Sequence, residues 1–279
     1  MLRAMTDDLH DDELTPAGTP QRPRRKGIYV LPNAITLAAL FSGFYGIVMA
    51  MNGRFELACV AIFCAAVLDS LDGRVARMTN AQSAFGEQMD SLSDMVSFGA
   101  APALIVYIWA LKDLGKAGWI PAFVYIAGAA LRLARFNVNI GVVDKRYFQG
   151  LPSPAAAALV MSLIWVMDDA GFKGVSHIEW LSWLAFCVTL FAGLSMVTNA
   201  PFYSFKVFGG RRSVPFIVIV AIALGIAIIS LDPPRVLFLL FAAYGLSGYG
   251  VYVWRKTQGK PVSVIATSTD EPEEHGLHH

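Results

Sequence analysis

Residues 69–94 read DSLDGRVARMTNAQSAFGEQMDSLSD. Four acids recur in them at regular spacing, Asp69, Asp72, Asp90 and Asp94, with Glu87 nearby. Asp69 and Asp72 are three apart and Asp90 and Asp94 four apart, so each pair shares one face of a helix, with Gly86 one turn before Asp90 on that face. The polar stretch from Met78 to Ala84 reads as a tight turn. The segment is therefore expected to be a helical hairpin with two acids on each arm.

Apolar runs flank the hairpin, FELACVAIFCAAVL before it and MVSFGAAPALIVYIWAL after it. An Asp near a bilayer centre costs ~2.5–3.5 kcal/mol on insertion scales, so acids at such depth face a cavity and mark a functional site. If the inner faces of the two arms meet, four carboxylates converge and repel one another. A divalent cation is the simplest remedy, and all-oxygen ligation suits Mg²⁺ or Mn²⁺.

Written as a pattern, the stretch is D-x2-D-G-x2-A-R-x8-G-x3-D-x3-D, on Asp69, Asp72, Gly73, Ala76, Arg77, Gly86, Asp90 and Asp94. It resembles the signature of the CDP-alcohol phosphotransferases, with every signature position filled. A solvated acidic turn between spans would leave the in-register Gly and Arg unexplained.

Composition bounds the rest. The chain has 279 residues, of which 56% are apolar, and a mean hydropathy of +0.53. Several runs approach or exceed the ~20 residues that span a bilayer. The expected fold is all-α: a polytopic integral membrane helical bundle of about eight transmembrane helices. Cys59, Cys64 and Cys187 lie in apolar runs without disulfide or zinc spacing and read as small buried fillers. About thirty polar residues precede the first span, and no signal peptide is expected.

Residues 1–26 carry an acidic cluster and then a basic one (Arg22, Arg24, Arg25, Lys26), and read as a disordered segment ending at the lipid headgroups. The membrane domain covers 27–256, with its catalytic hairpin at about 55–111, and 257–279 reads as a disordered tail. Spans are expected at about 33–51, 55–78, 84–111, 119–139, 155–167 (extending as far as 170), 180–197, 214–231 and 236–254, with Pro233-Pro234 breaking the chain before the last. Asn33, at the start of the first span, either caps that helix or reaches a nucleotide. Arg132 and Arg135 are three apart near the end of the fourth span; they either snorkel to headgroups or bind an anion beside the acids.

With the N-terminus inside, 17 of 22 Lys/Arg fall on the cytoplasmic side or in the cytoplasmic halves of helices, and only Arg54, Lys112, Lys116, Lys173 and Arg235 on the far side. This asymmetry predicts an N-in, C-in layout with the 78–84 turn toward the cytoplasm. An integral protein of a bacterial inner or plasma membrane, its site facing the cytoplasm, is the expected setting.

The family resemblance implies two Mg²⁺ or Mn²⁺ ions, with Asp69, Asp72 and Asp90 as principal ligands. Asp94 would contact the second ion and serve as general base on the acceptor hydroxyl. Gly73, Ala76, Arg77 and Gly86, with Asn33, would line the nucleotide and phosphate site. The substrate would be a CDP-linked lipid attacked at its lipid-side phosphate, with CMP leaving. The resemblance also implies a homodimer among membrane lipids, and no nucleic-acid partner is expected. Gly43, Gly46, Gly245 and Gly248 permit close helix packing, within or between chains.

Three further features resemble the membrane-type (type II) phosphatidylserine synthases: LPNAIT with Gly43, LRLARFNV at 131–138, and YFQGLPSPAAA at 147–157. They imply CDP-diacylglycerol and L-serine as substrates. Serine's carboxylate needs a cation, which Arg132, Arg135 or the Lys145-Arg146 pair can supply. The same residues suit glycerol 3-phosphate or inositol phosphate, so charge alone leaves the acceptor open. A cation transporter, from a different class, would need polar residues along several spans, and the last two spans are almost free of them.

Overall fold

The computed structural model describes residues 30–79, 81, 83–138, 147–172, 178–203 and 216–258. The helices are α1 (Val30–Met51), α2 (Phe55–Met78), α3 (Ala84–Trp109), α4 (Trp119–Val138), α5 (Ser153–Asp169), α6 (Glu179–Val197), α7 (Phe216–Leu231) and α8 (Pro233–Thr257). Each expected span is thus a helix, and the protein is an all-α membrane bundle. By length and composition α1, α3, α4, α6 and α8 suffice to cross a membrane. α2 carries the charges of the hairpin, and α5 has only 17 residues.

Local chemistry sets the boundaries. α1 starts by Val30 with Pro32 in its first turn, a position where proline's missing N–H is not needed. Asn33 therefore lies inside the helix rather than capping it. Asn52 and Gly53 reverse the chain into α2, with Gly53 at φ +72°, a conformation that favours glycine. Ser83 caps α3 by accepting the Gly86 N–H at 3.0 Å. Pro233 and Pro234 form the first turn of α8, with Asp232 as its cap, so the pair opens a helix as well as ending the previous one.

α3 departs from the regular helix that apolar periodicity predicts. Met95–Ala100 forms a π-helical turn directly after Asp94. Tyr125 on α4, fully buried, donates its hydroxyl to the Phe98 carbonyl inside this turn at 3.0 Å. The extra residue turns Ser97 toward α1, where its Oγ donates to the Ala39 carbonyl at 3.2 Å. A Cβ at Gly43 would lie 2.5 Å from that Oγ and 2.8 Å from the Ser97 Cα, so only glycine admits this contact.

α5 is the hub. Ala156 to Ile164 are all buried, and α2, α3, α6 and α8 pack around them. This explains the shortness of the fifth span: it is enclosed by protein. α4 and α6 cross so closely that a Cβ at Gly128 would sit 2.4 Å from the Gly193 carbonyl oxygen. Gly46 packs against Ile62, and Gly245 and Gly248 pack against Phe191 and Phe202, so these small residues serve contacts within the chain.

Two three-residue strands add a minor non-helical feature. β1 (Tyr147–Gln149) pairs antiparallel with β2 (Pro201–Tyr203), with Phe148 opposite Phe202. The alternating run of the helices puts this ribbon at the same end of the bundle as the 78–84 turn.

Candidate active site

α2 and α3 run antiparallel, and their acidic faces meet. One carboxylate oxygen from each of Asp69, Asp72 and Asp90 lies within 4.8 Å of the others. Asp72 is 5% exposed, whereas Asp69 and Asp90 are half-buried. Asp90 Oδ1 is buried without a hydrogen-bond partner among the described residues. Three carboxylates cannot all stay charged at this spacing without compensation. Donors made only of carboxylate oxygen, one of them buried and unpartnered, fit a hard divalent cation. Asp69, Asp72 and Asp90 are therefore a set that can hold such an ion.

Asp94 falls outside this triad. It lies one turn deeper on α3, within electrostatic range of Asp69 and of the Arg132 guanidinium of α4. Arg132 donates from Nη1 to Ser153 Oγ at 3.1 Å, and its Nε is buried without a partner among the described residues. Arg135 points elsewhere. Its Nη2 donates to the Val197 carbonyl at 3.0 Å and its Nη1 to Asn199 Oδ1 at 3.3 Å. It thus sits at the C-terminus of α6, where the helix dipole favours a cation. Lys145 and Arg146 lie outside the described residues.

The remaining signature positions line the mouth of the hairpin. A Cβ at Gly73 would meet only Arg77 Nη1, at 3.8 Å, so the backbone there is open to a ligand. A Cβ at Gly86 would sit 3.2 Å from Ser83 Oγ and 3.4 Å from Asn33 Oδ1. Asn33 has therefore been brought from α1 to the start of α3. Ala76 is half-buried, and Arg77 is exposed in the last turn of α2.

Several residues support the site without belonging to the acidic signature. Thr36 donates its hydroxyl to Asp72 Oδ2 at 2.7 Å. The Ser93 hydroxyl donates to the Thr36 carbonyl at 3.3 Å. Asn137 Nδ2 donates to Ser91 Oγ at 3.1 Å, joining the acidic arm of α3 to α4. Only the spacing of Thr36 from Asn33, one helical turn, places it toward the same end of α1 as the site.

Comparison with known proteins places the chain among its relatives. The family model described as CDP-alcohol phosphatidyltransferase matches residues 29–194. A CDP-diacylglycerol–serine O-phosphatidyltransferase of Helicobacter pylori is 34% identical over 219 residues, which cover 78% of this chain and 90% of that protein. The protein of the same name from Saccharomyces cerevisiae is 40% identical over 145 residues, covering 46% of this chain and 51% of its own. An archaetidylserine synthase of Methanothermobacter thermautotrophicus is 38% identical over 134 residues, covering 47% and 56%. With its signature acids gathered at one helical hairpin and the family model matching α1 through most of α6, the chain belongs to the CDP-alcohol phosphatidyltransferase family.

Proposed function

We propose that the protein is a CDP-diacylglycerol–serine O-phosphatidyltransferase, converting CDP-diacylglycerol and L-serine into phosphatidylserine and CMP. The observation that carries the reading is the convergence of Asp69, Asp72 and Asp90 beside Asp94 and Arg132. The names of the relatives support serine as the acceptor.

Phosphoryl transfer asks a protein mainly for positioning and charge neutralisation. Asp69, Asp72 and Asp90 would hold two Mg²⁺ or Mn²⁺ ions, with Asp94 beside the second, and such ions neutralise diphosphate charge. Gly73 and Gly86 let the cytidine diphosphate approach the backbone, while Arg77 and Asn33 flank its phosphates. The serine hydroxyl oxygen forms a bond to the lipid-side phosphorus, and the bond from that phosphorus to the bridging oxygen breaks. Asp94 accepts the hydroxyl proton, and CMP departs with the bridging oxygen. Arg132 receives the serine carboxylate through its half-buried guanidinium, which places the hydroxyl near Asp94.

The asymmetry of basic residues supports a site at the cytoplasmic face of a bacterial inner or plasma membrane. The family resemblance supports a homodimer.

The test is CMP release from purified protein in detergent, given CDP-diacylglycerol and Mn²⁺ or Mg²⁺. Serine, glycerol 3-phosphate, inositol phosphate and inositol are supplied in separate reactions with an EDTA control. Release with serine alone, abolished by EDTA, is expected. Release with another acceptor instead would keep the phosphatidyl transfer and discard serine.

A further inference from the structure

The family model ends at residue 194, and the chain then makes a short, heavily tethered passage to β2. Ser195 is fully buried, and its hydroxyl shares a 2.7 Å hydrogen bond with the Tyr249 hydroxyl of α8. At the far end of the passage, Tyr244 of α8 donates to the Tyr203 carbonyl at 3.2 Å. Between them Phe202 is fully buried, with its ring centroid 5.7 Å from that of Tyr244 and 6.4 Å from that of Tyr249. Gly248 allows this seat, because a Cβ there would lie 2.4 Å from the Phe202 ring. α8 therefore grips the segment 195–203 at both ends.

The other side of the same segment faces the acceptor end of the site. Val197 and Asn199 hold the Arg135 guanidinium. The Ser195 carbonyl accepts the Leu151 N–H at 2.9 Å, and the Ala200 carbonyl accepts the Gly150 N–H at 3.0 Å. Two residues beyond Leu151, Ser153 accepts Arg132. The Tyr244 hydroxyl also stands within electrostatic range of Arg132. Both arginines of α4 are thus seated on chain segments that α8 secures.

We infer that α8, outside the matched family domain, is a positioning element of the acceptor subsite: Tyr249 and Tyr244 clamp residues 195–203 and so set Arg132 and Arg135 for an acceptor bearing an anionic group. The inference rests on the proposed function for the identity of that acceptor. The tyrosines act through the arginines and touch no reacting atom.

The experiment compares Tyr249→Phe, Ser195→Ala, their double variant and Tyr244→Phe in the full-length chain. Phenylalanine keeps the ring packing and removes only the hydroxyl. CMP release is measured against serine at saturating CDP-diacylglycerol and against CDP-diacylglycerol at saturating serine, with thermal unfolding in parallel. Loss of one such hydrogen bond is expected to raise the serine KM about three- to tenfold. The CDP-diacylglycerol KM should stay within about twofold, and the double variant should be no worse than either Tyr249→Phe or Ser195→Ala. An unchanged serine KM, an equal rise in both KM values, or additive effects in the double variant would each overturn the clamp. If the wild type uses another acceptor, the serine reading fails by itself, and the same split is then measured with the acceptor that supports CMP release.

Discussion

The Thr36 hydroxyl on α1 meets Asp72 Oδ2 on α2 at 2.7 Å, with both side chains about 5% exposed. This bond ties a helix without acids to the acidic hairpin and fixes the rotamer of the most buried acid of the triad. Partners of ligating carboxylates typically change metal affinity or activity by about 10–100-fold when removed. Thr36→Val should therefore weaken Mn²⁺ binding by about that factor, read as free Mn²⁺ in an electron paramagnetic resonance titration, and Thr36→Ser should restore it. Unchanged affinity in Thr36→Val would mean that packing alone holds Asp72.

Asp94 lies beside the triad rather than within it, which separates its expected behaviour from that of Asp69. Asp94→Asn should lower kcat by about 10²–10⁴-fold, the usual worth of a positioned base, and leave CDP-lipid binding largely intact. Asp69→Asn should lose both. If the two variants lost nucleotide binding equally, Asp94 would be chiefly a metal ligand.

Arg132 is half-buried, with Nη1 engaged by Ser153 and Nε without a partner among the described residues. Lysine has the charge without the planar fork and cannot serve Ser153 and a carboxylate in the same geometry. Arg132→Lys should raise the serine KM about tenfold or more, from the ~1.5–3 kcal/mol of a charge-assisted hydrogen bond. A serine KM equal to wild type would remove Arg132 from the acceptor site.

Gly43 is the contact point of α1 with the π-helical turn of α3. Gly43→Ala forces the Ser97 backbone away and should destabilise the protein by about 1–3 kcal/mol, the usual range for overpacking. The check is a lowered thermal midpoint in detergent. Gly43 lies two helical turns beyond Thr36, so Mn²⁺ affinity should fall as well, and a normal midpoint with normal affinity would show that the contact yields freely.

Helical periodicity and hydropathy made most of the architecture legible. The helices fall where apolar runs and turn residues place them, and the spacing of Asp69 with Asp72 and of Asp90 with Asp94 put each pair on one face. Those properties depend on neighbours within four residues, which the chain carries in its order. How far one helix turns or slides against another depends on contacts between distant positions. Gly43 against Ser97, Gly128 against Gly193 and the π-helical turn held by Tyr125 set that relation. Spacing alone therefore left Asp94 among four equivalent acids, Arg132 and Arg135 as interchangeable cations, and Thr36 and Tyr249 without a role. The acids, their helices and the family were determined by the sequence itself. Tertiary packing brought the carboxylates of Asp69, Asp72 and Asp90 together, put Arg132 within electrostatic range of Asp94 while Arg135 caps α6, and carried α8 to the segment holding them, because packing alone sets the depth and rotation of each helix.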